Sequence, residues 1–306
     1  MGVPNGGPSR LHSRNRSPGT GGRPGHDQQA CRGRQEPLAA LTYSHRGEGR
    51  IMLEYRSFDE IVNHPGLRIV LVQGMPSPWG QAAKTFFEIK GLDYVAAPWT
   101  VFEPNDPIRA WGAADSAPIV AWRDERPIHS WLDILLLVER IKPSPALLPS
   151  DVMLRAQAIG LSNEICGRGG LAWNRRLQMV QPAFADEAGP NPVATMGLKY
   201  GYADEEVAHA GERVAKSLRA LTTQLKAQYA AGNPYFVGDQ LSAVDIYWTA
   251  FGNFFDPLPS PHCPMPDDFR PTFTASDPVV LEALDPILLE HRDRIFKEHF
   301  RDPMEL

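Results

Sequence analysis

No stretch of this chain approaches the roughly 20 apolar residues that a helix needs to cross a bilayer. The densest apolar run, Ile134 to Val138, is hemmed in by Trp131, Asp133, Glu139 and Arg140, so a membrane partner is not expected. Cysteine is scarce as well. Cys31, Cys166 and Cys263 are odd in number and far apart, without the pairing of a disulfide framework or the spacing of a zinc site, which suits a reducing, cytoplasmic setting. Beyond the first fifty residues negative charge outnumbers positive. These carry eight Arg against Asp27, Glu36 and Glu48, leaving −10 on the remainder, and an acidic body argues against a nucleic-acid partner. No repeat of fixed period is visible.

With 306 residues, 42% of them hydrophobic and 22% charged, the chain is long enough for two domains with cores of their own. Residues 1–51 are rich in Gly, Pro, Arg and Ser and almost without apolar periodicity, so they read as a disordered N-terminal extension. They lack the apolar core of a secretory signal and are too broken by Gly and Pro for an amphipathic transit helix. Met52 stands just ahead of the first structured pattern, where a second start codon would fit.

From Tyr55 the elements alternate. The pattern predicts a short helix over 57–63, a strand over 68–72, a helix over 78–90 closed by Gly91, and a strand over 94–98. A short helix follows over 106–111, then a strand over 119–122, a shorter one near Pro127-Ile128, and a helix from Ser130 to Arg140. After the stiff Pro143, Pro145, Pro149 connection no strand pattern returns. Helical periodicity runs in long segments over 151–184, 204–231 and 242–252 and in shorter ones over 278–300, with a Pro-rich, irregular insertion over 254–278.

The stretch Leu67 to Ala83 is the one the rest of the chain is organised around. A β-branched run suited to a strand buried on both faces breaks at Gly74, and the chain restarts as a helix at Pro78, a residue favoured at the first helical position. Ser77 is then the N-cap, facing unpaired N–H groups and the positive end of the helix dipole, where an anion can sit. Read alone, Ser77 is a helix cap between two prolines. Ser242 and Asp245, ahead of Ile246-Tyr247-Trp248, read as a capping box. His291-Arg292-Asp293 mimics a kinase catalytic loop without the companion motifs, and His262-Cys263 has no second pair for a metal.

Four pieces together resemble the glutathione S-transferase superfamily over roughly residues 66–300. They are Ser77-Pro78-Trp79-Gly80-Gln81 at the first helix, Ser116-Ala117-Pro118-Ile119-Val120 at a strand entry, His129-Ser130 ahead of the next helix, and Gly238 to Asp245 in the helical half. The Ser-Pro-aromatic form is most similar to the omega and related bacterial classes, with Ser in place of the omega Cys. The resemblance implies an α/β plus all-α fold: an N-terminal thioredoxin-like, glutathione-binding domain over 52–145 and a C-terminal helical bundle domain over 146–306. It further implies a homodimer, glutathione as co-substrate and no metal.

On this resemblance Ser77 is the catalytic residue. Glutathione contacts fall to Ser77, Trp79, Ala117, Pro118, His129 and Ser130, with a cis bond before Pro118 and Ser130 facing the γ-glutamyl carboxylate. Without it, Pro118 is an ordinary strand-entry proline and Ser130 a simple N-cap. His129 departs from the acid or amide usual there. Trp173 and Arg176, with Phe254 to Phe269, are candidates for the substrate pocket, although Trp173 also reads as core. Gly80 and Ser77 exclude dithiol chemistry at this helix. Two functions follow: a transferase that activates glutathione for attack on a hydrophobic electrophile, or a lapsed binding or interaction module on the same fold.

The thiolate is the nucleophile, and free glutathione is mostly thiol at neutral pH because its pKa lies above the ~8.5 of ordinary cysteine. Lowering it by two units needs roughly 2.7 kcal/mol. A helix N-terminus supplies about 0.3–1 and at most ~2 kcal/mol, whereas a hydrogen bond to a charged group adds about 1.5–3 kcal/mol. A hydroxyl at position 77 would close the gap.

Overall fold

The computed structural model describes residues 53–185 and 191–305; the expected disordered extension, 1–51, lies outside them. The first half runs α1 (Phe58–Val62), β1 (Leu67–Val72), α2 (Pro78–Ile89), β2 (Tyr94–Trp99), α3 (Asp106–Gly112), β3 (Ile119–Trp122) and α4 (Trp131–Ile141). The sheet order is β2-β1-β3, with β1 parallel to β2 and antiparallel to β3. Ile69 faces Ala96 on one side and Val120 on the other. The fourth strand expected near Pro127-Ile128 is reduced to one bridge, in which Val120 and Ile128 exchange backbone hydrogen bonds of 2.8 Å.

Strand alternation sends successive side chains of β1 to opposite faces. Leu67, Ile69 and Leu71 enter the large core shared with Phe86 and Phe87 of α2 and Leu135 and Val138 of α4. Val70 enters a smaller one with Ile61, Ala97, Trp99, Ile108 and Ile119. Helices therefore cover both faces, which is why β1 is an uninterrupted apolar run. Helix α2 ends at Lys90, and Gly91 takes φ +54 with Leu92 N–H donating to Phe87 O at 2.8 Å, a left-handed closure that favours glycine.

The second half is helical: α5 (Val152–Cys166), α6 (Leu171–Val180), α7 (Pro192–Lys199), α8 (Asp204–Ala208), α9 (Ala210–Ala230), α10 (Ala243–Phe251), α11 (Arg270–Phe273), α12 (Pro278–Ala283) and α13 (Pro286–His299). All nine residues of α10 are buried, and it packs on α2, α5 and α13. The mixed three-stranded sheet followed by helices is the thioredoxin-like plus helical-bundle class. Three details differ from the sequence reading. The segment 151–184 is two helices, because Gly167 to Gly170 interrupt it and Gly170 packs against the Glu164 backbone where a Cβ would clash. The segment 204–231 is also two helices, α8 and α9, divided at His209. Helix α7 was not expected at all.

Cations hold both the connection between the halves and the end of the chain against α2. Lys90 is fully buried and donates to Lys142 O at 2.7 Å and Pro145 O at 2.8 Å while pairing with Glu139 at 2.7 Å. It fixes the proline-rich connection against the end of α2. At the other end of the chain Arg301 pairs with Glu88 of α2 at 2.5 Å and with Glu305 at 2.9 Å. Gln81 donates to Glu305 O at 2.6 Å, and the buried Lys84 ammonium lies 3.4 Å from the Glu305 carboxylate. The last residues thus strap across the helix that begins at Ser77.

Candidate functional site at the start of α2

Ser77 is the N-cap of α2, with Pro78 at the first helical position. Its backbone is committed: its N–H donates to Met75 O at 2.8 Å and its carbonyl accepts from Gln81 N–H at 2.9 Å. Its side chain closes no cap bond. The same is true of Ser130, the N-cap of α4. Ser57, Asp151, Asn191, Asp277 and Asp285 accept from backbone N–H groups of their own first turns, while Asn105 and Ser242, whose side chains close no such bond, are engaged with Thr100 and Glu103 and with Asp245. Two half-buried serine hydroxyls are therefore left free of the usual capping role, each beside helix N–H groups that have no intrahelical partner.

The Ala117–Pro118 peptide bond is cis, and Pro118 is buried at the entry to β3. Ser116 and the exposed His129 line one cleft of about 410 Å³ together with Arg109, Ala113, Ala114 and Asp115. The cleft brings the strand entry, the end of α3 and the approach to α4 together.

Trp79, two residues beyond Ser77, turns toward the helical half. Its indole N–H donates to Cys166 O at 3.0 Å, and its ring meets Phe251 edge-on at 4.6 Å and Phe254 at 6.2 Å. The Arg176 guanidinium lies 4.2 Å from the Trp79 ring centroid, 3.9 Å from that of Tyr200 and 5.5 Å from that of Trp173. Trp173 and Tyr200 meet edge to face at 5.5 Å. Burial pulls the pKa of Arg176 down to about 10, opposed by the neighbouring Tyr200 phenol. From α7, Lys199 reaches the Asp115 carboxylate at 3.3 Å. Tyr200 and Lys199, neither singled out in the sequence, thus place α7 beside the Ser116-Ala117-Pro118 segment. The Asn191-Pro192 cap was the available signal.

Arg175 has another part. It is buried and donates to Phe254 O at 2.8 Å, Thr274 O at 3.0 Å and Thr272 O at 3.2 Å, which pins the 254–274 insertion. Within that insertion Phe254, Phe255, Leu258, Cys263 and Met265 are core, and Phe269 is exposed. Burial pushes the Cys166 thiol well up and that of Cys263 to about 11, so neither supplies a thiolate at neutral pH. Among the described residues no group of three or more His, Cys, Asp or Glu could hold a metal ion, and no helix is long and apolar enough to cross a membrane.

The family "Glutathione S-transferase, C-terminal domain" matches residues 175–265. No curated protein matches the chain by sequence. Among solved structures, the fold is similar to that of a glutathione S-transferase from Methylobacterium radiotolerans in complex with glutathione sulfonate, at 16% identity and TM-score 0.51 over 78% of this chain and 97% of that one. A rice glutathione S-transferase in complex with glutathione gives 19% identity and TM-score 0.50 over 78% and 92%. The beta-etherase LigF from Sphingobium sp. strain SYK-6 gives 17% identity and TM-score 0.53 over 75% and 94%. Residues 175–265 thus match the glutathione S-transferase C-terminal domain family, and the chain shares the fold of these solved structures.

Proposed function

We propose that this protein is a glutathione transferase that binds glutathione at the starts of α2 and α4 and activates its thiol with Ser77. The observation that carries the reading is the pair of uncapped serines. The side chains of the other serine, aspartate and asparagine N-caps all have hydrogen-bond partners, whereas among the described residues those of Ser77 and Ser130 have none.

In this reading the sulfur sits over the Ser77 hydroxyl, whose O–H donates to the thiolate. The γ-glutamyl carboxylate lies at the N-terminus of α4 on Ser130, and the cysteinyl backbone pairs with Ala117 ahead of cis-Pro118. His129 and Arg109, which both line the cleft, offer donors to the peptide's carboxylates. Trp79 acts mainly by shaping the wall between sulfur and helical domain. The thiol proton leaves to solvent, the sulfur lone pair forms a carbon–sulfur bond to a hydrophobic electrophile, and the leaving group departs with its bonding pair. Trp173 and Arg176 line the electrophile's side. The same reading carries the division into domains at 145/146, a cytoplasmic setting, and a homodimer, for which light scattering should give twice the chain mass.

Calorimetric titration of the full chain with glutathione, followed by thiolate absorbance of the complex, tests the proposal. Binding with a thiolate signal at neutral pH that Ser77→Ala diminishes is the expected result. Binding without any thiolate signal would leave a glutathione-binding module, and no binding would end the reading.

A further inference from the structure

Arg176 is a cation without an oxygen partner. Among the described residues none of its N–H groups donates to a carbonyl or carboxylate, and its contacts are the faces of Trp79, Tyr200 and Trp173. None of its nitrogens is sealed from solvent either. The adjacent Arg175 is the internal contrast, with three backbone carbonyls around its guanidinium. The Asp115 carboxylate is held by Lys199, which lies over the Tyr200 ring. Ring faces attract the charge, but an arginine also presents five in-plane donors in a fork that matches a planar oxyanion. With its nitrogens open to solvent and no protein oxygen on them, the fork is free to meet an incoming oxyanion.

We propose that Arg176 is a specificity-determining residue that binds a carboxylate or similar oxyanion on an aromatic electrophile, with the rings of Trp173 and Tyr200 forming the wall for the substrate's aromatic part. The proposal rests on the transferase reading above and narrows its substrate class from hydrophobic electrophiles to anionic aromatic ones. Geometry supports it from both directions. The Trp79 ring that Arg176 touches belongs to the first turn of α2, two residues from Ser77, so an anion on Arg176 lies near the sulfur's side of the helix. Two further cations, Arg168 over Trp173 at 5.5 Å and Lys199 over Tyr200 at 5.1 Å, make the patch locally positive on an otherwise acidic body. Burial, which already depresses the arginine's pKa, strengthens any ion pair formed there.

The test uses the full chain and two glutathione conjugates, S-benzylglutathione and S-(4-carboxybenzyl)glutathione, which differ by one carboxylate. The wild type should bind the carboxylated conjugate at least about tenfold more tightly, the ratio that one charge-assisted hydrogen bond provides. Arg176→Met should abolish that preference, and Arg176→Lys, which keeps the charge without the fork, should keep part of it. Equal binding of both conjugates by the wild type, or a preference that survives Arg176→Met, would overturn the proposal while leaving the transferase reading standing. Binding of neither conjugate would overturn the transferase reading itself, and the proposal with it. The wild-type comparison decides even if the methionine variant does not fold.

Discussion

Nε2 of His291 lies 2.9 Å from Oδ1 of Asp245, and neither side chain has any solvent exposure. The same carboxylate accepts from Phe236 N–H at 2.9 Å, from Ser242 N–H at 2.8 Å and from the Ser242 hydroxyl at 2.7 Å. Tyr229 lies 3.0 Å from the other imidazole nitrogen. One aspartate thus joins the start of α10 to α13 and to the loop before it. Removing it leaves several buried donors unpaired at once, so Asp245→Ala should cost about 3–5 kcal/mol. For a chain of this size that lowers Tm by about 10 °C. A thermal melt shifted by less than about 3 °C would mean that water or rearrangement replaces the carboxylate.

The C-terminal strap can be separated into its parts by a double-mutant cycle. Glu305→Ala takes the carboxylate from the buried Lys84 ammonium and from Arg301, and should destabilise by about 1–3 kcal/mol. Lys84→Met in that background should recover part of the loss, because a buried cation without its partner is worse than an apolar side chain of similar length. Urea unfolding of the four proteins gives the coupling. Strictly additive effects would show that Lys84 draws its stability from elsewhere.

Alkaline stability offers a test with a definite sign. The Tyr94 hydroxyl donates to Glu88 at 3.0 Å, and burial together with that carboxylate raises its pKa far above the ordinary ~10. Burial and Glu305 raise Tyr55 to about 12. The unfolded chain therefore releases phenolic protons that the folded chain keeps, and stability falls as pH rises from about 10. Lys84, whose pKa burial lowers, acts in the opposite direction but is common to wild type and variant. Tyr94→Phe should be less stable by about 1.5–3 kcal/mol near pH 7, the worth of a hydrogen bond to a charged group, and the gap should narrow steadily above pH 10. A gap constant up to the alkaline limit would refute the assignment.

How far the sequence reached follows from the range of the interactions involved. The β1-α2 unit was legible because its signals are local: an apolar run, Gly74, and Pro78 after Ser77. The Ser242–Asp245 box was legible for the same reason. His291 was set aside as a chance resemblance, since nothing in its neighbourhood reports a carboxylate 46 residues earlier in the chain. Arg175 and Arg176 look alike in sequence, yet about 100° of helical rotation sends one to the carbonyls of the insertion and the other to Trp79 and Tyr200. Helix α7 was missed because it leaves Leu198 and Lys199 exposed and shows little apolar face, although Asn191-Pro192 marks its start.

The division of labour between the two uncapped serines gives the most discriminating prediction. If Ser130 holds the γ-glutamyl carboxylate and Ser77 the sulfur, their removal should fail in different ways. Ser130→Ala should weaken glutathione binding by about tenfold to a hundredfold, the range of a hydrogen bond to a charged group, while the thiol that still binds keeps its lowered pKa. Ser77→Ala should leave affinity nearly intact but raise the pKa of bound glutathione and slow conjugation by about tenfold to a hundredfold, because 1.4–2.7 kcal/mol of thiolate stabilisation is lost from the step that needs it. Ser77→Cys should redirect the protein toward a mixed disulfide with glutathione, detectable by mass. Titration calorimetry reads the first property and thiolate absorbance the second. A single profile shared by both alanine variants would reduce the two serines to a common structural role, and the activation of glutathione would then belong to another donor.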